Sequence, residues 1–334
     1  MKALLYEGAR QMRYQEVLAP VSDLDADEVK IKVEAACICG SDMHAWAGHD
    51  ERRPAPLILG HEVAGIVLDG ALAGKRVTVN PLVTCGTCSD CKAGRTNLCQ
   101  ARQILSMPPR QGAFGEYLVV AQRNLVEIPA DFPVWKAAMC EPIACGVHAV
   151  RVGLEALRSS LDQSRALILG GGAIGLGMAL VLRAKGCKQI TIFEPNPIRG
   201  AYIEAQEGFC IAATPDDLYA QDGGWHLIMD AHGSTASRTM ASQMVRPGGV
   251  IILTGLADSG GGLDTRRMTL QEITVIGTYT YSAEDFLETA EAMFQGAFGD
   301  LDWPERRSLA QGAQAFHDIE QGLVRAPKVI LEPA

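Results

Sequence analysis

Positive charge and aromatic residues are both scarce in this sequence. Its 334 residues carry a formal net charge of −9 at pH 7, which argues against a nucleic acid or an anionic membrane as the partner. Aromatic residues make up 6% of the chain, with 8 phenylalanines, so the sequence shows no obvious bulky slot for an aromatic alcohol. The hydrophobic fraction of 48% is ordinary for a globular protein, and the length predicts two domains.

The sequence also lacks an export signal, internal repeats and low-complexity tracts. Residues 1–14 have no apolar core long enough for a signal peptide. We therefore expect a cytoplasmic protein whose ten cysteines stay reduced, where clustered cysteines indicate metal binding or catalysis more often than disulfides. The apolar run at 166–182 has nearly the length of a membrane span. Its glycines follow a strand-like pentad, however, and predict a buried strand–turn–helix.

The densest group of chemically active side chains is the hexad Cys39-Gly40-Ser41-Asp42-Met43-His44, followed by Gly60-His61-Glu62. Cys39 and His61 are candidate zinc ligands, because thiolate and neutral imidazole suit this borderline-soft cation. Ser41 and His44 are candidates for a proton relay from an alcohol substrate to water. Each of these residues alone can be interpreted as a buried structural cysteine or an ordinary surface histidine. That interpretation does not explain why they occur together.

A catalytic zinc usually has three protein ligands, so one more is needed. Glu62 and Glu141 are the candidates for this third ligand. We also predict that Glu62 takes part in catalysis. Glu141 lies at the junction of the two predicted domains, where it would tie the metal to the cleft between them. Its neighbour Cys140 is a rival that we favour less. Cys37 rivals Cys39 in the same way, since residues two apart on an extended chain share a face.

A second cysteine cluster lies between residues 85 and 99. It has the spacing C-x2-C-x2-C-x7-C and consists of Cys85, Cys88, Cys91 and Cys99. Four thiolates with no open position predict a closed, structural zinc site. The segment has little apolar content, so metal coordination would replace the hydrophobic core that it lacks. We assign it no catalytic role.

Two patterns of hydrophobicity divide the chain. Up to about residue 80, short alternating segments such as 29–33 and 63–67 predict a β-rich, barrel-like domain. From Arg165 onward, apolar strands alternate with helices, which predicts an α/β domain with a doubly wound parallel sheet. Its strands are expected at 165–169, 190–193, 226–229, 250–253 and 273–276.

These patterns suggest domain boundaries. The last forty residues are too short for a domain of their own, so we expect them to rejoin the first one. The catalytic, zinc-binding domain is then 1–143 with 283–334, and the nucleotide-binding domain is 144–282. A helix is expected from 283 to 295.

A glycine-rich turn follows the strand at 165–169 and opens a helix that reaches about Lys185. It fits G-x-G-x-x-G with Gly170, Gly172, Ala173, Ile174 and Gly175 as candidate cofactor-binding residues. Glu194 follows 19 positions after the last glycine and can bind a ribose diol. Its carboxylate would repel a 2′-phosphate, which favours NAD over NADP. Arg199 complicates the choice, because it could neutralise a phosphate or flank the adenine.

In this order, the zinc ligands, the four-cysteine lobe and the nucleotide-binding unit resemble the zinc-dependent medium-chain dehydrogenase/reductase superfamily. The similarity is greatest to its sorbitol, polyol and threonine dehydrogenase branch, and it covers essentially the whole chain. It implies a GroES-like catalytic domain, a Rossmann coenzyme domain and two zinc ions per chain. It also selects Cys39 over Cys37 and Glu141 over Cys140. The catalytic zinc would be held by Cys39, His61 and one or both of Glu62 and Glu141.

The resemblance also implies roles for individual residues. Ser41 would lie next to the substrate oxygen, and His44 would end a proton relay through the cofactor ribose. Cys145 would lie against the nicotinamide, whose other edge would be lined by Gly255, Leu256, Thr278 and Tyr279. Trp46 and Tyr279 would be walls of the substrate pocket, with ordinary core packing as the alternative.

The resulting functional hypothesis is a zinc-dependent oxidoreductase that passes hydride from a secondary alcohol or polyol to NAD. Alternatives are an amino alcohol such as threonine, a simple alcohol or aldehyde as substrate, or NADP as cofactor. A zinc-free reductase of the same fold and a non-catalytic zinc- and nucleotide-binding protein fit the residues less well. The polar segment 48–53 suits a hydroxylated substrate, but we favour a solvated loop. A homodimer or homotetramer is expected.

Overall fold

Eighteen strands and eleven helices are assigned in the computed structural model, which describes residues 1–21, 27–219 and 223–334. The strands are β1 (Lys2–Gly8), β2 (Gln11–Glu16), β3 (Glu28–Cys37), β4 (Leu57–Ile58), β5 (Glu62–Val67), β6 (Arg76–Val79), β7 (Leu82–Val83), β8 (Gln103–Ile104), β9 (Tyr117–Ala121), β10 (Leu125–Glu127), β11 (Arg165–Leu169), β12 (Gln189–Phe193), β13 (Cys210–Ala212), β14 (Trp225–Asp230), β15 (Val245–Leu253), β16 (Thr274–Gly277), β17 (Glu305–Ser308) and β18 (Val329–Glu332). The helices are α1 (Gly40–Trp46), α2 (Ser89–Lys92), α3 (Val134–Ala137), α4 (Cys140–Ala156), α5 (Ala173–Ala184), α6 (Pro197–Glu207), α7 (Asp216–Tyr219), α8 (Thr235–Met244), α9 (Thr265–Leu270), α10 (Ala283–Phe294) and α11 (Gly312–Glu320).

The chain forms two compact units. The first comprises Met1–Pro142, Ser282–Leu323 and Lys328–Ala334. The second comprises Ile143–Tyr281 and Val324–Pro327. None of the helices in the described part of the chain has both the length and the apolar character needed to cross a bilayer.

The first unit is rich in strands. Its largest sheet runs in the order β10-β6-β5-β3-β18-β17, with β9 also pairing with β3. A three-stranded sheet has the order β2-β1-β4, and β7 pairs with β8. The C-terminal strand β18 thus lies beside β3, although nearly 300 residues separate them in sequence.

Strand register in this unit positions the hexad. In the antiparallel pair of β3 and β5, Cys37 lies opposite Glu62. The residue two past the end of β3, Cys39, therefore meets the residue just before β5, His61. On the other side, β18 pairs with β3 so that Ile330 lies opposite Cys37. This register brings Lys328, the residue before β18, to the same end of the sheet.

The second unit is a six-stranded, entirely parallel sheet in the order β13-β12-β11-β14-β15-β16. Its central strands are apolar runs, such as Ala166–Leu169, because helices cover both faces. The strand order reverses between β11 and β14, and such a switch point leaves a crevice at the carboxyl ends of the strands. The sequence prediction of an α/β fold with a doubly wound sheet and a strand-rich second domain is confirmed.

Element bounds differ from the sequence prediction by small amounts. Helix α5 ends at Ala184, and Gly186 with φ +97° follows the helix end, as the sequence predicts. The β15 strand begins five residues earlier than predicted, at Val245. The added residues include an Arg-Pro-Gly-Gly run that an apolar pattern does not reveal.

Candidate metal centres and nucleotide site

Three predicted zinc ligands converge at the end of β3. One ligand atom from each of Cys39, His61 and Glu62 lies within 4.8 Å of the other two. The strand register described above is the cause, since it aligns the start of α1 with the start of β5. Thiolate, imidazole and carboxylate together are a donor set typical of zinc. The geometry therefore fits a zinc ion at this position.

The electrostatics of this group also fit a cation. His61 is 6% exposed, and burial alone would lower its pKa. The negative charges of Asp42 and Cys39 outweigh burial and raise the pKa of His61 well above its usual value. The same negative charges that stabilise a protonated imidazole in this buried site would also attract a metal cation.

Glu62 is held by a lysine that the sequence did not single out. Lys328 Nζ donates to Glu62 Oε1 at 2.7 Å and to the Ile38 carbonyl at 3.0 Å, and both charged residues are buried. The other carboxylate oxygen, Glu62 Oε2, is buried without a hydrogen-bond partner in the described part of the chain. A bound cation would satisfy that orphaned oxygen.

Glu141 lies in the first turn of α4 and is also buried. Its carboxylate is not part of the group formed by Cys39, His61 and Glu62. The rival thiol of Cys140 donates to the Phe286 carbonyl at 3.7 Å. In this conformation Glu62, and not Glu141, belongs to the group within 4.8 Å, and ligation by either carboxylate stays a prediction.

Helix α1 presents the two predicted proton carriers. Ser41 Oγ lies 3.5 Å from His61 Nε2. His44, three residues later on the same helix, is exposed and contacts the His49 ring edge-on, with a centroid distance of 5.4 Å. Residues three apart share a helix face, so the helix leads from the metal-ligand group to solvent.

Asp42 fixes the start of α1. It is fully buried, and its two oxygens accept hydrogen bonds from the backbone amides of Cys39 (3.0 Å) and Gly60 (3.2 Å). Its Oδ1 also faces His61 Nδ1 at 3.4 Å, which is a charge contact because Nδ1 makes no hydrogen bond within the described residues. Asp42 thus orients both metal-ligand segments at once.

Two expectations about pocket walls and loops need revision. Trp46 is 4% exposed and packs against Phe316 at a centroid distance of 5.8 Å, so it fits the core-packing alternative. The segment 48–53 is only partly a solvated loop. Arg53 is 2% exposed, and the Asp50 side chain is 5% exposed. The solvated-loop prediction is wrong for these two residues, because their opposite charges allow burial as a pair.

The four-cysteine lobe has the geometry of a closed site. The sulfurs of its four cysteines all lie within 4.8 Å of one another. Cys85 Sγ is 3.6 Å from Cys99 Sγ and 3.9 Å from Cys91 Sγ. A tetrahedral zinc with bonds of about 2.3 Å requires sulfur–sulfur distances of about 3.8 Å. These four residues therefore fit a zinc ion without rearrangement.

Charge in the lobe also calls for a cation. Hydrogen bonds from the backbone amides of Thr87 and Cys88 lower the pKa of Cys85 to about 5. Burial and hydrogen bonds with neighbouring sulfurs raise the pKa of Cys91 to about 12. Four thiolates this close cannot all ionise unless a positive ion balances them.

The glycine turn in the second unit is shaped for close approach. Gly170 adopts φ +106°, in the region that favours glycine. A Cβ on Gly175 would lie 1.8 Å from the Gly170 carbonyl oxygen, whereas a Cβ on Gly172 would meet nothing within 4 Å. No side chain caps the start of α5 at Gly172. The amides of Ala173 and its neighbours are therefore available to an anion such as a diphosphate.

Glu194 is held against this turn. Its Oε2 accepts a hydrogen bond from the Gly171 amide at 3.0 Å, and its Oε1 accepts one from the Asn196 amide at 2.8 Å. Arg199 Nη1 lies 3.4 Å from Oε2, and Arg199 Nε is buried with no partner in the described chain. The amide of Gly171 is a contact that the motif did not reveal.

The remaining predicted cofactor residues occupy the same edge of the sheet. Gly255 and Leu256 follow β15, and Leu256 is 75% exposed. Thr278 and Tyr279 follow β16, and Thr278 Oγ1 lies 2.8 Å from Thr254 Oγ1. Carboxyl ends of parallel strands share an edge, so these residues lie on the side of the glycine turn.

Two family models match the chain. The alcohol dehydrogenase GroES-like domain matches residues 25–130, and the zinc-binding dehydrogenase model matches residues 173–295. Together they span well over half of the sequence.

Individual proteins align over most of their length. L-galactonate-5-dehydrogenase of Escherichia coli K12 is 30% identical over 332 residues, covering 95% of this chain and 94% of the relative. Sorbitol dehydrogenase of Bacillus subtilis 168 is 32% identical over 303 residues, covering 84% and 83%. A crystal structure of the alcohol dehydrogenase rspB from E. coli CFT073, complexed with NADH, superimposes with a TM-score of 0.87 at 25% identity, covering 99% of both chains.

Proposed function

This chain belongs to the zinc-binding alcohol dehydrogenase family, and we propose that it oxidises a secondary alcohol of a polyol to a ketone with NAD⁺. The observation that carries this proposal is the convergence of Cys39, His61 and Glu62 within 4.8 Å, with the Ser41 hydroxyl beside them. Metal ligands next to a hydroxyl on a helix that leads to solvent are what alcohol oxidation requires.

We assign the catalytic zinc to Cys39 and His61 with a carboxylate from Glu62 or Glu141. When bound, zinc is a Lewis acid that lowers the pKa of the substrate hydroxyl. The Ser41 hydroxyl accepts the proton of the alcohol, and exposed His44 passes it to water. Bound NAD⁺ would supply the hydride acceptor, so that one alcohol and one NAD⁺ would give one ketone, one NADH and one proton.

The second unit is assigned to NAD. The uncapped start of α5 would bind the diphosphate. Three contacts to Glu194 leave room for a further hydrogen bond, because a carboxylate has about four acceptor positions. That position suits the adenosine ribose diol. The Glu194 charge disfavours a 2′-phosphate, although adjacent Arg199 reduces this effect.

We further assign one structural zinc to the four-cysteine lobe, which gives two zinc ions per chain. The ten free cysteines fit a reducing compartment such as the cytoplasm. A homodimer or homotetramer stays our expectation, which size-exclusion chromatography with light scattering measures directly.

A polyol or sugar-derived secondary alcohol is favoured as substrate, because relatives named for L-galactonate and sorbitol align along most of the chain. An amino alcohol such as threonine is the second candidate, since the sequence motifs are shared with that branch of the superfamily.

A spectrophotometric screen tests the proposal. Purified protein is assayed for NADH formation with polyols, sugar acids, amino alcohols and simple secondary alcohols, with NAD⁺ or NADP⁺. We expect NAD⁺-dependent oxidation of at least one polyhydroxylated secondary alcohol, and loss of that activity when a chelator removes zinc. Activity that persists after zinc removal has been verified by elemental analysis would refute the mechanism.

A further inference from the structure

A buried arginine lies next to the proposed proton carrier. Arg53 is 2% exposed, and its Nη1 donates to the Ser41 carbonyl at 2.8 Å. Its Nε donates to the Ser106 carbonyl at 3.1 Å. These bonds fix the guanidinium against the helix whose Ser41 hydroxyl contacts the metal ligand His61. The arginine is therefore a neighbour of the reacting centre.

The positive charge of Arg53 is only partly balanced. Its one acidic contact among the described residues is Asp50 Oδ2, at 3.3 Å from Nη1. Asp50 is shared with Arg52, which binds it with shorter bonds of 2.8 and 3.0 Å. Burial alone would raise the pKa of Asp50, but hydrogen bonds and charge from Arg52, with the charge of Arg53, lower it. Two cations thus share the Asp50 carboxylate, and the buried carboxylate of Asp42 also interacts electrostatically with Arg53.

The guanidinium also has unused donors. A guanidinium carries five N–H groups, and the contacts above use the one on Nε and two on Nη1. Within the described chain, Nη2 has no hydrogen-bond partner, and this atom is not fully shielded from solvent. The Ser106 hydroxyl is fully buried and also unpartnered there, at a residue with φ +63°. Nη2 is therefore a free donor that a ligand can reach, at a guanidinium that also binds the carbonyl of Ser106.

We propose that Arg53 binds a terminal anionic group of the alcohol substrate. The inference rests on the proposed function, and it narrows the substrate from a polyol to one that carries a carboxylate or a phosphate. The anion would accept from Nη2 while the substrate's secondary alcohol meets Ser41. A neutral polyol leaves the buried charge uncompensated, which a site built for an anion penalises.

Matched substrates test this assignment. L-galactonate and galactitol differ by a carboxylate in place of a terminal hydroxymethyl group, and galactitol 1-phosphate provides the phosphate arm. For the wild-type protein we expect kcat/KM for one of the two anions to exceed that for galactitol by on the order of 10- to 100-fold. Carboxylate preference identifies a sugar acid, and phosphate preference a sugar phosphate.

Substitutions assign the preference to Arg53. Arg53→Met should reduce the ratio of kcat/KM for the anion to kcat/KM for galactitol by about 10-fold or more. The loss should come mainly from a higher KM for the anion, and the test depends on the ratio rather than on the galactitol value alone. Arg53→Lys should restore part of the ratio, because it retains the charge. The control Arg13→Met, at an arginine whose side chain is 67% exposed and pairs with Glu7 rather than Asp50, should change the ratio less than about 2-fold. Thermal unfolding of each variant checks the fold.

The outcomes separate this inference from the proposed function. Two results would overturn the role of Arg53 and leave the dehydrogenase function intact. One is oxidation of galactitol that is at least as efficient as that of both anions. The other is a folded Arg53→Met variant with an unchanged ratio of anion to galactitol kcat/KM. If no alcohol is oxidised, the proposed function fails. Calorimetric titration of zinc-loaded protein with L-galactonate and galactitol 1-phosphate then decides the inference, since binding lost in Arg53→Met supports it and equal binding refutes it.

Discussion

At the scale of single residues, we expect Glu194 to decide the choice of nicotinamide cofactor. Its carboxylate is buried at the end of β12 and accepts bonds from the amides of Gly171 and Asn196. Arg199 lies 3.4 Å away. The two side chains favour opposite cofactors, because a carboxylate repels a 2′-phosphate and a guanidinium attracts it. Burial and two amide contacts hold Glu194 nearest the turn, so we expect its preference for NAD to prevail.

Replacing Glu194 with glutamine tests this balance. The amide oxygen can still accept from the Gly171 amide, but the repulsive charge is lost and Arg199 is no longer paired. We expect the ratio of kcat/KM for NAD⁺ over NADP⁺ to fall by on the order of 10-fold or more. Steady-state kinetics with both cofactors measure the ratio, and Glu204→Gln on the exposed face of α6 is the matched control. A wild-type preference for NADP⁺ would contradict the role of Glu194.

The site residues that the sequence revealed lie in local motifs, whereas those that it did not reveal depend on tertiary contacts. Cys39, His61 and Glu62 belong to short local motifs of chemically distinctive side chains. Lys328 reaches Glu62 from 266 positions away, and no local pattern marks it. Arg53 sits in a charged stretch that is typical of a loop, and only the partial pairing with Asp50 allows its burial.

At the scale of elements, the four-cysteine lobe contrasts with the sheets around it. Of residues 85–99, only Asn97 and Cys99 are buried, and α2 contributes no buried side chain. A segment that buries so little apolar surface cannot stabilise its own fold. We therefore expect metal coordination by the four thiolates to contribute much of the lobe's stability.

Cys99→Ser should therefore lose the lobe's zinc and lower the thermal unfolding midpoint, by roughly 5–10 °C for a loss of a few kcal/mol. The matched control is Cys210→Ser, which changes an exposed cysteine outside the lobe. Differential scanning calorimetry with metal analysis measures both effects. Unchanged metal content and midpoint in Cys99→Ser would show that the lobe does not depend on zinc.

Element prediction succeeded where burial was strong. The central strands of the parallel sheet are apolar runs that are buried on both faces, and each predicted strand was found within a few residues, β15 excepted at its start. The short edge strand β13 is partly exposed and was not predicted. By contrast, β17 has the sequence Glu-Arg-Arg-Ser and shows no strand pattern. It forms a strand because β18 offers it a free edge for parallel pairing, a tertiary effect that single-sequence patterns do not carry.

At the scale of the whole molecule, the C-terminal segment completes the first unit. Strand β18 pairs with β3 and brings Lys328 against Glu62. The three candidate ligands thus come from the beginning of the chain, and the lysine that holds Glu62 comes from its end. The same unit contains the four-cysteine lobe, so two chemically different zinc sites are expected in one unit and the nucleotide site in the other.

Zinc stoichiometry combined with activity tests the central claim most directly. The account predicts two zinc ions per chain in the wild-type protein. Cys39→Ser should retain one zinc and an unchanged unfolding midpoint, while NADH formation falls by at least about 100-fold, because the Lewis acid at the hexad is worth several kcal/mol. A Cys39→Ser protein that keeps two zinc ions and oxidises the alcohol at the wild-type rate would contradict the account.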